Sequence, residues 1–217
     1  MSKFAPPAPP MIAARWKGGS QVPGLIVIHS TVSATRAGAA RATARYFATE
    51  TTKTSAHYCV DSQEVVQCVG DHTVAYHCGY NADSIGIEMC DMPNAASLAH
   101  WLVPKAKRTG KKASFHGRRI NPLRWIEPQH RSMLQLTARL TAQLCLSYGI
   151  PIRYLSDEQL RAWDRGGRTP ALGGIVTHAQ MSRVFKRSSH WDPGKWPSAL
   201  FLKRTQLAAR ALRKAGS

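Results

Sequence analysis

The chain has 217 residues, enough for one substantial core, and its 43% hydrophobic and 19% charged residues are an ordinary globular composition. Lys and Arg number 30 against 12 Asp and Glu, a net charge of +18 with histidines neutral, so nucleic acid, anionic lipid and anionic cell-wall polymer all qualify as partners. No apolar run approaches the roughly 20 residues that cross a bilayer, and prolines at 6, 7, 9 and 10 interrupt any signal-peptide core, so a start in a cytoplasm is expected.

Residues 1–22 are punctuated by Pro and Gly without helical or strand period and read as an extended arm that carries no chemistry. Leu25-Ile-Val-Ile28 is a continuous apolar run, as expected of a strand buried on both faces, and it ends on His29. Ala-rich residues from Arg36 to about Glu50 predict a helix. His57 to Asp61 and Glu64 to Val69, separated by Ser62-Gln63, predict a hairpin. Cys59 and Cys68 could face each other across it, and a disulfide between them stays open. The five cysteines form no C-x-x-C pair and read as reduced, buried thiols. In Ser84-Ile-Gly-Ile-Glu88 the alternation puts Ile85 and Ile87 on one face and Ser84, Gly86 and Glu88 on the other.

Residues 101–127, rich in Lys and Arg, read as a solvated basic insertion. From Gln129 to Tyr148 the spacing of Met133, Leu136, Leu140 and Leu144 predicts a helix, stopped by Gly149 and Pro151. Ser156-Asp-Glu-Gln159 has capping-box spacing and starts another. Gly174-Ile-Val-Thr-His178 repeats the layout of the first strand. Residues 198–214 predict a cationic amphipathic helix, with Leu200, Phe201, Leu207, Ala208, Ala211 and Leu212 on one face and Lys203, Arg210, Arg213 and Lys214 on another. The expected organisation is an arm (1–22), a main domain (23–200) and a cationic helix and tail (201–217).

Two strands that each deliver a histidine at the carboxyl end can aim both rings into one cleft. In His190-Trp-Asp-Pro-Gly194 the turn would hold the Asp192 carboxylate in a fixed direction. Two imidazoles and a carboxylate make the three N/O ligands of a catalytic zinc that leaves its fourth position to water. One strand-end histidine alone is more often a hydrogen-bonded structural residue; the three together carry the argument.

The blocks Ile-Val-Ile-His-Ser-Thr (26–31), Ser-Ala-His-Tyr (55–58), Ala-Tyr-His-Cys-Gly (75–79), Asn81 through Glu88, Val-Thr-His178 and His190-Trp-Asp-Pro-Gly194 resemble, in order, the zinc-dependent N-acetylmuramoyl-L-alanine amidases. That family includes amidase-type phage lysozymes and the peptidoglycan recognition proteins. The resemblance covers about residues 24–197 and implies an α/β protein, a mixed central β-sheet flanked by helices. It implies Zn2+ held by His29, His178 and Asp192, where some members use Cys as third ligand. Glu88 falls at the catalytic carboxylate of one branch of the family; another branch uses a Tyr where this chain has Ala56. Many relatives have Lys where His190 stands, and His190 takes the oxyanion role here. His77 and Asn81 fall in the segment that lines the substrate groove.

By the same resemblance the substrate is peptidoglycan, cut between N-acetylmuramic acid and L-alanine. A single catalytic domain without an export signal suits a phage endolysin waiting in the host cytoplasm before it reaches the wall, with a bacterial or prophage-encoded recycling enzyme as the alternative setting. A monomer is expected, with the basic segments available to anionic wall polymers or membrane lipids. A nucleic-acid-binding protein would match the charge but leave the His/His/Asp set unexplained. A non-catalytic wall-recognition module of the same fold would usually have lost a zinc ligand. A zinc peptidase acting on the stem peptide or cross-bridge shares the metal chemistry.

Overall fold

The computed structural model describes residues 8–31, 33, 35–91, 127–194 and 196–216. Residues 1–7 and the expected basic insertion up to residue 126, with His100 and His116, lie outside them. The strands are β1 (Leu25–Ser30), β2 (Tyr58–Val60), β3 (Val65–Gln67), β4 (Ser84–Met89) and β5 (Gly174–Thr177). The helices are α1 (Ala39–Thr49), α2 (Pro128–Tyr148), α3 (Asp157–Arg165), α4 (His178–Phe185) and α5 (Ser198–Gly216).

The strands form one sheet in the order β3-β2-β4-β1-β5. Strand β1 runs parallel to both β4 and β5, β2 runs parallel to β4, and β3 pairs antiparallel with β2. The sheet is therefore mixed and flanked by helices, as expected. Central parallel strands are covered on both faces, which is why β1 reads as an unbroken apolar run. Ile26, Ile28, Ile85, Ile87 and Ile175 form one face with Met133, Leu134 and Leu144 of α2 and Phe201 of α5. Leu25, Val27 and Val176 form the other with Leu155, Leu160, Trp163 and Met181. A third cluster joins Ala40, Ala44 and Phe47 of α1 to Cys59, Val66, Cys68 and Cys90. All five cysteines are free and buried; Cys59 and Cys68 do face each other across the hairpin, Sγ to Sγ 3.7 Å.

The capping box at Ser156 forms with both of its reciprocal bonds, and α2 ends on Gly149 in the left-handed region that favours glycine. The arm from residue 8 onward lies along β3: Ile12 N–H donates to Gln67 O at 2.9 Å and Gln67 N–H to Pro10 O at 3.0 Å, covering the sheet edge. Its last part turns inward at Gln21, whose Nε2 donates to Ser84 O at 3.1 Å and so steadies the start of β4.

Helix α5 departs from its expected orientation. Phe201, Thr205 and Ala209 are buried, whereas Leu200 is 43% and Leu207 52% exposed. The inward stripe is thus i, i+4, i+8 from Phe201, rotated from the most apolar face. Thr205 can sit inside because its hydroxyl donates to Phe201 O at 2.9 Å.

Candidate metal centre

Parallel pairing aligns the carboxyl ends of β1, β4 and β5, where α/β sheets usually bind ligands. His29 is the fifth residue of β1 and lies in register with Glu88 of β4. On the other side of β1, β5 ends at Thr177, whose hydroxyl caps α4 by accepting from Gln180 N at 3.2 Å. His178 opens that helix. The 192–194 turn is held against it by Ala179 N–H donating to Asp192 O at 2.9 Å, and Ser30 N–H donates to the carboxylate itself, to Oδ2 at 3.2 Å.

One ligand atom from each of His29, His178 and Asp192 lies within 4.8 Å of the other two, all three residues being buried. Asp192 Oδ2 is 3.3 Å from His29 Nδ1, and Oδ1 is 3.1 Å from His178 Nδ1. Burial, followed by the neighbouring His178, pushes His29 down to about 4. For Asp192 burial acts in the opposite direction, but the His178 and His29 rings beside it outweigh burial and hold the carboxylate well below its usual range. A buried carboxylate between two imidazoles is the donor chemistry of a zinc site.

Glu88 stands alongside, Oε1 3.7 Å from His29 Nδ1, and its buried Oε2 has no hydrogen-bond partner among the described residues. Burial, and then the charge of Asp192, raise its pKa well above the ordinary carboxylate value, as suits a group that must hold and release a proton. His190 is at the rim: its side chain is 61% exposed, with Nδ1 3.7 Å from Asp192 Oδ1, and its ring stacks on that of His178 at 4.3 Å. Partial burial and His178 lower its pKa. The residues expected to hold metal and do chemistry are thus brought together.

His77 and Asn81, expected along a substrate groove, are engaged inward instead. His77 lies buried behind His29, its Nδ1 3.0 Å from His29 Nε2. The Asn81 Oδ1 atom accepts from the backbone N–H groups of His77 at 2.9 Å and Cys78 at 2.8 Å, tying off the 77–81 loop. Gly86 makes room for the His77 ring; a Cβ there would sit 2.6 Å from its Cγ. Sequence reasoning passed over Ser84 and Ser188, which meet the outer nitrogens of His77 and His178 at 3.1 Å and 3.2 Å. It also left His130 unassigned; that ring is buried 3.2 Å from Asp91, which in turn accepts from Ser30 Oγ at 3.3 Å. The β4 alternation places Ser84 on the Glu88 face without giving it a role, and no spacing marks Ser188.

The family model described as N-acetylmuramoyl-L-alanine amidase matches residues 19–195. A curated relative, N-acetylmuramoyl-L-alanine amidase XlyA of Bacillus subtilis (strain 168), is 33% identical over 104 residues, 43% of this chain and 35% of that protein. The match thus spans about a third of that relative's length. Among solved structures, the Staphylococcus aureus hydrolase AmiA in complex with its ligand aligns at TM-score 0.61 with 13% identity, covering 98% of this chain and 87% of that one. A mutant of PlyL aligns at TM-score 0.55 with 15% identity, covering 92% and 98%. At such identity these likenesses bear on the fold, whereas the family match rests on sequence over most of the chain. The chain belongs to the N-acetylmuramoyl-L-alanine amidase family.

Proposed function

We propose that the protein is a Zn2+-dependent peptidoglycan hydrolase that cleaves the amide between N-acetylmuramic acid and the L-alanine of the stem peptide. The observation that carries this reading is the convergence of His29, His178 and Asp192 within 4.8 Å, beside a Glu88 oxygen that has no partner among the described residues. These three residues would hold Zn2+, which when bound would supply a Lewis acid able to polarise the scissile carbonyl and lower the pKa of water towards about 7. Glu88 takes the proton of the attacking water and, because burial favours its protonated form, keeps that proton until the leaving nitrogen accepts it. His190 donates a ring N–H to the oxyanion that develops on the carbonyl oxygen, its plane set by the stack on His178.

The proposal extends to the lysis of a host cell by a phage enzyme, which the resemblance to amidase-type phage lysozymes supports. No helix among the described residues is long and apolar enough to cross a membrane. The net charge of +18 is more than the site needs, and Lys203, Arg210 and Arg213 of α5 and Arg139 of α2 are exposed. We assign these groups, with the basic residues of 101–126, to attraction towards anionic wall polymers or membrane lipids. Screening over about 8–10 Å at physiological salt means that wall binding falls as ionic strength rises. Cosedimentation with purified walls should weaken in an Arg210→Glu/Arg213→Glu double variant at low salt; equal sedimentation would exclude α5 from the attraction. Deleting residues 201–217 is not a usable substitute, since Phe201 belongs to the core.

Mass spectrometry of digested peptidoglycan tests the reaction. The expected product is a stem peptide with a free L-alanine amino group and an intact sugar strand. Cleavage inside the stem peptide would establish the peptidase instead, and wall binding without any product would establish a recognition module.

A further inference from the structure

His29 and His178 each turn Nδ1 towards Asp192 and Nε2 away, and each Nε2 meets a chain of hydrogen bonds that ends on a backbone carbonyl. Behind His29, Nε2 is 3.0 Å from His77 Nδ1, His77 Nε2 is 3.1 Å from Ser84 Oγ, and the Ser84 hydroxyl donates to Asn81 O at 2.8 Å. Behind His178, Nε2 is 3.2 Å from Ser188 Oγ, and the Ser188 hydroxyl donates to Cys78 O at 3.2 Å.

Proton placement follows from the ends inward. A carbonyl oxygen only accepts. Ser84 therefore spends its one proton on Asn81 and can only accept from His77, which must carry a proton on Nε2. His77 is buried against the His29 and His57 rings, where a second ring proton would leave a buried, uncompensated charge; its Nδ1 is therefore a lone pair that accepts from His29, whose proton is likewise on Nε2. The second chain repeats the logic in one step: Ser188 donates to Cys78 O and accepts from His178 Nε2–H. The Ser182 hydroxyl, 2.6 Å from Ser188, fits as a further donor, because its own oxygen accepts from His190 N–H at 3.2 Å. The two terminal carbonyls, Cys78 and Asn81, belong to the same loop, which the Asn81 side chain ties off.

We infer that Ser84, acting through His77, and Ser188 are positioning residues that fix His29 and His178 as Nε2-protonated tautomers. Both Nδ1 lone pairs then point at Asp192. Three acceptor atoms converge, an arrangement that a divalent cation completes and that a wrong tautomer would block with an N–H. This rests on the metal-site reading above. It adds that the 77–81 loop sets the protonation pattern of both ligands.

The test uses the full chain, stripped of metal and reloaded with Zn2+. Nitrogen-15 NMR of the histidine rings in the metal-free protein should show His29, His77 and His178 protonated on Nε2. Zn2+ affinity, by competition with a chromogenic chelator, should fall about 10–100-fold in Ser84→Ala and in Ser188→Ala, with the fold intact by circular dichroism. Ser188→Thr, which keeps the hydroxyl, should restore it. Nδ1 protonation of His29 or His178, or wild-type Zn2+ affinity in both folded alanine variants, would overturn the inference. Asp192→Ala separates the two levels. If it abolishes Zn2+ binding while the serine variants match wild type, only the relay fails; if Asp192→Ala binds Zn2+ like wild type, the metal site itself fails.

Discussion

The two faces of the sheet are built from alternate residues of the same strands and do different work. On one, Ile26, Ile28, Ile85 and Ile87 meet α2 and α5 in a predominantly apolar contact. On the other, β1 continues from Leu25 and Val27 to His29, and β4 supplies Ser84, Gly86 and Glu88 in place of large apolar side chains. Strand β4 therefore stabilises the domain with its odd-numbered residues and builds the site with its even-numbered ones. The contrast teaches that a buried polar face needs a function or a partner for each group, since an unpaired buried carboxylate is costly, whereas the apolar face needs only volume and shape.

That division can be broken from either side. The largest effect is expected for Glu88→Gln, which removes the proposed proton acceptor and keeps the shape: kcat should fall by about 100- to 10,000-fold, with Zn2+ content and thermal stability kept. Near-normal turnover would move the proton-transfer role to another residue. From the other face, Phe201→Ala should cost about 3–5 kcal/mol of stability, read from denaturant unfolding, and leave kcat of the folded fraction unchanged. A selective loss of kcat would mean that α5 also shapes the site.

Gly86→Ala tests the boundary between the faces. Its Cβ would sit 2.6 Å from His77 Cγ, so the ring must move from behind His29, and Zn2+ affinity should fall about 10–100-fold. An unchanged affinity would show that His77 can be displaced without disturbing the ligand. A smaller effect is expected from pH. Burial lowers both His57 and His29 from 6.5 to about 4. The unfolded chain binds these protons as pH drops below 6.5 while the folded chain does not. Stability of the metal-free protein should therefore be fully present above 6.5 and decline towards about 4, at up to about 1.4 kcal/mol per pH unit for each ring. A flat thermal midpoint across that window would mean that the rings accept protons in the folded state.

Much of this was legible because period-2 patterning is a strong signal. The β1 and β5 runs each deliver a histidine, the β4 alternation separates the isoleucines from Ser84, Gly86 and Glu88, and the 190–194 segment provides the carboxylate. What stayed hidden depended on tertiary register. Helix α5 turns Thr205 inward and Leu207 outward because Phe201 seats against α2 and the Thr205 hydroxyl is satisfied within its own helix; hydrophobicity alone ranks those positions the other way. His77 faces His29 because Gly86 leaves a space behind the strand, a consequence of β4 packing that nothing in the 75–79 block reveals. Ser188 sits between helix and turn with no periodic neighbours, so its contact with His178 emerges only when Cys78 is brought up beside it.

The central claim is that His29, His178 and Asp192 hold a catalytic Zn2+. It is tested most directly by measuring metal content and wall hydrolysis on one preparation before chelation, after exhaustive chelation and after Zn2+ is restored. The account predicts one Zn2+ per chain at the start, activity lost in step with the metal, and activity regained on reloading. Full hydrolysis by protein in which no metal remains would contradict it.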